Sequence, residues 1–181
     1  MKTVISISGA PGTGKTRVGA ILARKLGANL LAIGELVKAG KIPYTQDKKR
    51  NTKILAITDV QHAVDNITGK RNEKFVIEGL LAHLLKADVA IILRCEPSLL
   101  RKRLRARRWT KAKIEENVEA EMLDIITAEA IAVRKAKTYE IDTSHRTPNQ
   151  TADVILRVIR STKYANKFKP GKIKWLKSEN L

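Results

Sequence analysis

Cysteine is almost missing from this chain. Cys95 is the one thiol in 181 residues, so no intrachain disulfide can form, and the sequence suits a reducing compartment. Cys95 follows an apolar, strand-like run, where a thiol serves as a small hydrophobe. Long apolar runs are also missing, and nothing approaches the roughly 20 residues that a membrane span needs. Met1-Lys2 leads straight into a strand pattern, without the apolar stretch and cleavage site of a signal peptide. These absences predict a cytoplasmic protein with no membrane partner. Acids are scarce beside bases: 36 Lys and Arg stand against 18 Asp and Glu, a formal net charge of +18. A small-molecule site does not need that surplus. Clustering of the cations favours a polyanionic partner, nucleic acid above all, over general solubility or adaptation to a particular cytoplasm.

The length fits one domain with a sizeable core, and 43% of the residues are apolar. There is no internal repeat. Residues 2–8 read as a buried strand that stops at a glycine. Val18, Ile21, Leu22 and Leu26 recur at helical spacing until Gly27 ends the run. A short strand is expected over 29–33, a short helix from Gly34, an exposed cationic loop over 38–53 and a helix over 53–67. Residues 74–78 and 88–93 read as strands. Helices then follow Pro97, run from Thr110 to about Lys135, and begin again at Pro148, with a strand ending at Asp142 between the last two. Strands alternating with helices predict an α/β fold, a parallel sheet covered on both faces. Such sheets bind ligands at the carboxyl ends of their strands, and Gly9, Glu78, Arg94 and Thr143 each lie just after a predicted strand.

The most specific pattern is Gly9-Ala10-Pro11-Gly12-Thr13-Gly14-Lys15-Thr16, a full match to G-x-x-x-x-G-K-[ST] between a strand and a helix. Glycines let the backbone curl until several N–H groups point at phosphate oxygens, and the helix adds its positive N-terminus. Gly12, Thr13 and Gly14 form that cradle, Lys15 reaches the β- and γ-phosphates of ATP, and the Thr16 hydroxyl binds Mg²⁺. Glu78 is the expected acid behind the metal, acting through water, with Asp142 as a weaker alternative. Arginines must also neutralise charge moving between phosphates. Residues 101–113 are dense in cations and contain no acid, and they join two helices as a closing lid would. Arg103 and Arg107 are the expected phosphate contacts, with Arg94 and Arg108 as further candidates.

Taken together, these motifs resemble one family. They are GAPGTGKT, Ile33-Gly34-Glu35-Leu36, Ile77-Glu78-Gly79, Leu93-Arg94, Leu104-Arg105-Ala106-Arg107-Arg108-Trp109-Thr110 and Glu116-Asn117-Val118-Glu119-Ala120-Glu121. The family is the adenylate-kinase-like NTPases of small-subunit ribosome biogenesis, relatives of adenylate kinase isoenzyme six, and the archaeal branch above all. The likeness runs from about residue 3 to residue 160. It implies a nucleoside-monophosphate-kinase fold of three layers, with a five-stranded parallel sheet, an AMP-side arm (about 34–69) and a short lid (about 103–113). It also implies ATP and Mg²⁺ as cofactors, AMP as phosphoryl acceptor, adenylate kinase and ATPase activities, and Thr143 in the loop beside the adenine. The partners it implies are protein eleven of the small-subunit platform and rRNA. The chain departs from the family where Asp-x-His is usual, since Glu78-Gly79-Leu80 stands there, which puts hydrolysis in question. His83, three residues on, reads as a polar helix residue without chemistry. Lys48-Lys49-Arg50 also makes basic an arm that is commonly acidic.

Residues 162–181 form a basic tail after the domain of residues 1–161. Tyr164, Phe168 and Trp175 are interleaved with cations there, and Pro170-Gly171 argues against one long helix. Such an end could stay mobile until its rings stack on unpaired bases. The competing expectation is that the aromatics pack back on the domain. Three functions fit the sequence: an ATP-dependent ribosome-assembly enzyme, a metabolic nucleoside monophosphate kinase, and an RNA-binding adaptor that uses ATP as a conformational ligand.

Overall fold

A computed structural model describes residues 3–48, 52–69, 72–133 and 136–176. Its centre is a five-stranded sheet built from β1 (Thr3–Gly9), β2 (Asn29–Ala32), β5 (Lys74–Glu78), β6 (Val89–Arg94) and β7 (Lys137–Asp142). The spatial order is β2-β5-β1-β6-β7, and every pairing is parallel. Parallel neighbours need crossovers, which the helices supply: α1 (Lys15–Leu26), α2 (Ile33–Lys38), α3 (Ile57–Thr68), α4 (Pro97–Arg105), α5 (Lys111–Met122), α6 (Ile125–Val133) and α7 (Pro148–Arg160).

The period of two in β1 divides the core. Ile5 and Ile7 face one side, joining Val18 and Leu22 of α1 and Ile155 and Val158 of α7. Val4 faces the other, with Leu36 and Val37 of α2, Val60 and Val64 of α3, and Phe75 and Ile77 of β5. A third cluster, Leu100, Leu104, Ile114 and Val118 with Cys95 and Ala10, fastens α4 and α5 to the loop after β1. Cys95 is buried, and burial pushes its thiol up to about 11, so it is an inert hydrophobe there.

Three segments differ from the sequence reading. The segment after Lys38 contains an antiparallel pair, β3 (Thr45–Asp47) with β4 (Thr52–Ile54), and α3 starts at Ile57 rather than near residue 53. Lys49 and Arg50, part of the expected basic arm, lie outside the described residues. The helix expected from Thr110 to Lys135 is two helices, because Asp124 adopts a left-handed φ of 56° and ends α5. The tail is docked. A short helix, α8 (Thr162–Ala165), and a 3₁₀ turn (Asn166–Phe168) place Tyr164 and Phe168 against the first core cluster, their ring centroids 5.1 Å apart. Farther on, the Gly171 N–H donates to Glu140 Oε2 at 2.7 Å and Trp175 Nε1 donates to Glu121 Oε1 at 2.9 Å. Rings held this way are not free to stack on bases, so the mobile-tail expectation is overturned by its packing.

Candidate active site

The loop from Gly9 to Gly14 turns on three left-handed glycines, with φ of 140° at Gly9, 93° at Gly12 and 98° at Gly14. At Gly9 a Cβ would lie 2.3 Å from the Leu93 carbonyl oxygen, so no other residue fits. Thr13 closes the loop on itself, its hydroxyl donating to the Ala10 carbonyl at 2.8 Å. Gly14 precedes α1 and lends it no side-chain cap, so the positive end of that helix opens into the loop. Lys15 Nζ donates to the carbonyls of Gly9 at 2.8 Å and Ala10 at 3.1 Å, which folds the ammonium over the concavity. Desolvation lowers its pKa to about 8, opposed by the Glu78 carboxylate and reinforced by Arg107.

Next to Lys15, the Thr16 hydroxyl donates to Glu78 Oε1 at 3.3 Å. Glu78 is buried at the end of β5, and desolvation raises its pKa against the pull of Lys15 and Thr16, with Glu35 adding to the rise. Gly19, one turn along α1, leaves room for this carboxylate, since a Cβ there would sit 3.4 Å from the Glu78 Cβ.

Arg103 comes from the last turn of α4. Its Nη2 donates to the carbonyls of Thr143 at 2.9 Å and Ser144 at 3.2 Å, and its Nη1 to those of Gly12 and, as hydroxyl, Thr143 at 3.4 Å each. The Thr143 hydroxyl in turn donates toward the carbonyls of Thr13 at 3.1 Å and Arg94 at 2.9 Å. One guanidinium thus ties the glycine loop to the loop after β7. Between them opens a cleft of about 300 Å³, lined by Gly12, Gly14, Arg17, Arg103, Arg107 and Arg146 among others. Gly12, Thr13, Gly14, Arg103, Arg107 and Thr143 all line it, while Lys15, Thr16 and Glu78 do not, although Lys15 feels the charges of both Glu78 and Arg107.

Three candidates do not belong to this cleft. Arg94 is 1% exposed and is claimed by acids: it pairs with Glu121 at 2.7 Å and with Glu140 and Asp124 at short range. It is a structural cation, because four of its five N–H groups go to Glu121, Asp124 and Glu140 and burial keeps a phosphate away from the fifth. Asp142, the alternative metal acid, accepts from the Ser144 N–H at 2.8 Å and from its hydroxyl, so it shapes a turn. Arg108, with φ of 58°, is exposed in the turn between α4 and α5.

On the other side of the glycine loop, Leu80 and Leu81 stand between two further clefts. One, of about 590 Å³, lies against Ile33, Gly34 and Val37 of α2 and Lys53 to Leu55. The other, of about 470 Å³, lies between Ala10-Pro11 and the α5–α6 pair. Leu80 is 47% exposed there. Close by is a histidine whose burial and partners the sequence reading did not anticipate. His83 sits on a 3₁₀ turn (Ala82–Leu84), is 2% exposed, and is held 2.9 Å from Ser8 Oγ and 2.9 Å from Glu129 Oε2. Its partners lie 75 and 46 residues away, so no local signal pointed to them.

Comparison with known proteins bears on the family and the fold. Residues 5–124 match the family model of an AAA domain. A protein of Archaeoglobus fulgidus named "Putative adenylate kinase" is 38% identical over 96% of this chain and 92% of its own length. Proteins of the same name from Methanocaldococcus jannaschii and Methanosarcina barkeri are 33% and 36% identical, covering 88% and 96% of this chain and 87% and 97% of their own. Among solved structures, shikimate kinase from Acinetobacter baumannii in complex with shikimate has a TM-score of 0.65 at 21% identity, over 90% of this chain and 96% of that one. Shikimate kinase from Aquifex aeolicus gives 0.55 at 16% identity, over 88% and 98%. These two likenesses concern the fold, a P-loop kinase sheet. With a family model matched over more than half its length and a relative 38% identical over nearly all of it, the chain belongs to the AAA-domain family and to the family of the archaeal proteins named putative adenylate kinase.

Proposed function

We propose that this protein transfers the γ-phosphoryl group of ATP to AMP, with Lys15, Glu78, Arg103 and Arg107 as its working side chains. The observation that carries the reading is the grouping of Lys15 and Thr16 with Glu78, and the electrostatic reach from Lys15 to Arg107, which with Arg103 walls the neighbouring cleft. Phosphoryl transfer asks the protein for position and countercharge rather than for covalent chemistry. Lys15 would leave the Gly9 and Ala10 carbonyls for the phosphate oxygens, regaining the charge stabilisation that burial removes. Arg103 would hold the glycine loop and the Thr143 loop at the right separation for the nucleotide, and Arg107, at the exposed rim, would swing onto the transferring group. Residues 103–113 would act as the lid and 34–69 as the acceptor-side arm.

The donor set fits Mg²⁺. Thr16 offers a hydroxyl and Glu78 a carboxylate at the same spot, and among the described residues no cluster of three or more His, Cys, Asp or Glu could hold a metal alone. That suits an ion which takes most of its oxygens from phosphate and water. Held by Thr16 and, through water, by Glu78, such an ion would supply countercharge to the phosphates. Glu78 would act through a bound water, and its raised pKa falls once a cation is near.

A second reading, a role in small-subunit assembly alongside protein eleven and rRNA, is supported by the net charge of +18 and by the exposed Lys102, Arg105, Arg108 and Lys111 around the lid. Purified protein mixed with ATP and AMP, with ATP alone, and with each plus rRNA distinguishes the readings. ADP formed only when AMP is present is the expected result. ADP formed equally without AMP identifies an ATPase, and tight ATP binding with no ADP in any mixture refutes the phosphotransferase reading.

A further inference from the structure

Ser8 is the last residue of β1 before the glycine loop, and its side chain is fully buried. Its hydroxyl lies 2.7 Å from the Leu80 carbonyl and 2.9 Å from His83 Nδ1. The far side of the same ring, Nε2, lies 2.9 Å from Glu129 Oε2 on α6. A row of four groups therefore runs from α6, through the ring and the hydroxyl, to the loop that follows Glu78. At one end of the row is a carbonyl that only accepts, and at the other a carboxylate that only accepts. The middle must supply every proton. Ser8 has one, which the Leu80 carbonyl needs. His83 must then donate through Nδ1 to Ser8 and through Nε2 to Glu129, and all three bonds coexist only with the imidazolium ring.

We infer that His83 is a positioning residue for phosphoryl transfer: acting through Ser8, it fixes the Leu80 carbonyl, and with it the acceptor-side wall, against the start of the glycine loop. This rests on the phosphotransferase reading. The reasoning from geometry is direct. Leu80 lines both clefts on the acceptor side and follows Glu78 by two residues. Ser8 precedes Gly9, whose carbonyl holds Lys15. The Gly79 N–H is fixed to the Ile7 carbonyl at 3.2 Å, so the chain is held on one side of Leu80 by the sheet and at Leu80 by the Ser8 hydroxyl, with the His83 ring close to the same carbonyl. A slack wall would displace the acceptor relative to the donor phosphate without disturbing the ATP cleft, which lies on the other side of the glycine loop.

His83 lines the cleft behind Ala10 and Pro11, where Lys113 and Glu116 of α5 stand with Glu129. β1, β6 and α6 pack most closely on the 3₁₀ turn. β1 carries no ionisable side chain, β6 carries Arg94, which turns to Glu121 and Glu140, and α6 carries Glu129. Burial lowers the His83 pKa, while Glu129 and the Leu80 carbonyl raise it again. When the ring loses its proton, two hydrogens remain for three contacts. A bare Nε2 facing a carboxylate is the worst arrangement, so Nε2 keeps its hydrogen, Ser8 turns to Nδ1, and Leu80 is released. The wall is tied below the pKa of His83, which is set below the ordinary value, and slackens as pH rises through it.

Two amides separate the ends of the row. In H83N the side-chain amide stands where Nδ1 stood and donates to Ser8; in H83Q it reaches Glu129 instead. Turnover of ATP with AMP, ATP affinity and thermal midpoint are measured for both, together with S8A and the H83Q/S8A pair, at a pH below the His83 midpoint, where the wall is tied in the wild type. H83Q and S8A are expected to lower kcat about tenfold each, the loss of one buried hydrogen bond, with ATP affinity unchanged. H83N is expected to lose less than H83Q, and the double variant no more than either single one. Side-chain ¹⁵N resonances of His83 are followed with pH in the whole protein, and the Leu80 and Leu81 amides are expected to move with the same midpoint in wild type and not in H83N. Equal kcat in H83N and H83Q, additive losses in the double variant, or Leu80 resonances indifferent to His83 titration each overturn the inference. Absence of AMP-dependent turnover in wild type overturns the phosphotransferase reading instead, and the resonance experiment still decides whether His83 ties Leu80.

Discussion

Raising the pH is the mildest perturbation that isolates Lys15. In the free protein its pKa is lowered to about 8 by burial, whereas phosphate oxygens beside the ammonium restore it toward the ordinary value near 10.4. The bound state therefore holds the proton more tightly than the free state. Binding takes up a proton wherever free Lys15 has lost it, so affinity is full below pH 8 and declines above. For a free pKa of about 8 and a bound one near 10.4, the association constant falls about twentyfold between pH 7.5 and 9.5, or about 2 kcal/mol. The terminal phosphate itself titrates near pH 6, so its own ionisation hardly enters this window. Calorimetric titration with a non-hydrolysable ATP analogue measures the affinity. Repeating it in two buffers of different ionisation enthalpy counts the protons taken up, which approach one per ATP at pH 9. Lys15→Ala should weaken binding at pH 7.5 about 10- to 100-fold, a charged hydrogen bond's worth, and should flatten the pH profile while leaving the thermal midpoint near that of the wild type. An affinity independent of pH in the wild type, or an unchanged slope in Lys15→Ala, refutes the assignment of Lys15 to the phosphates.

Other perturbations test other parts of the molecule. Glu78→Gln removes a desolvated carboxylate whose raised pKa makes its charge a cost above the unfolded value; the variant is expected to melt at a higher temperature while losing Mg²⁺-dependent turnover, as calorimetry and an ADP assay will read. Leu80→His restores a ring beside Glu78 and should raise hydrolysis of ATP more than phosphorylation of AMP, because AMP brings its own nucleophile; equal change in both rates counts against it. Arg94→Met leaves Glu121 and Glu140 buried without their cation and should destabilise by about 3–5 kcal/mol in urea titration, with a smaller loss if both acids are neutralised as well. Trimming the chain after Ser161 removes the indole from Glu121 and the Gly171 N–H from Glu140, so it should lower stability, and a truncated protein as stable as the whole chain would contradict the docked tail.

Much of the sheet was legible because its signals are local. Apolar runs ending at Gly9, Glu78 and Arg94, and helix ends marked by Gly27 and by Pro148, can each be read within a few residues. The glycine loop was legible for the same reason. What escaped was long-range. Arg94 resembles a site residue in the sequence because it ends a strand, but Glu121 and Glu140, 27 and 46 residues away, neutralise it. The β3–β4 pair was missed because three-residue strands rich in polar side chains carry no period. The break after Met122 was missed because Asp124, neither glycine nor proline, turns left-handed where its carboxylate meets Arg94. The tail's cations and rings suggested a mobile segment, and only its contacts with α5 and β7 show that it is part of the domain.

The chain's two tryptophans sit at informative places. Trp109 lies in the turn between α4 and α5, under the Lys113 ammonium at 4.7 Å and on the wall of the cleft behind Ala10 and Pro11. Trp175 is fixed at the other end of α5, with its indole on Glu121 and the Arg94 guanidinium 5.9 Å from its ring. Each indole is therefore a built-in spectroscopic probe of one end of the same helix. Replacing either with phenylalanine leaves a single emitter, so the emission maximum and quenching of Trp109 and Trp175 can be followed separately as nucleotide is added, with no label attached to the protein.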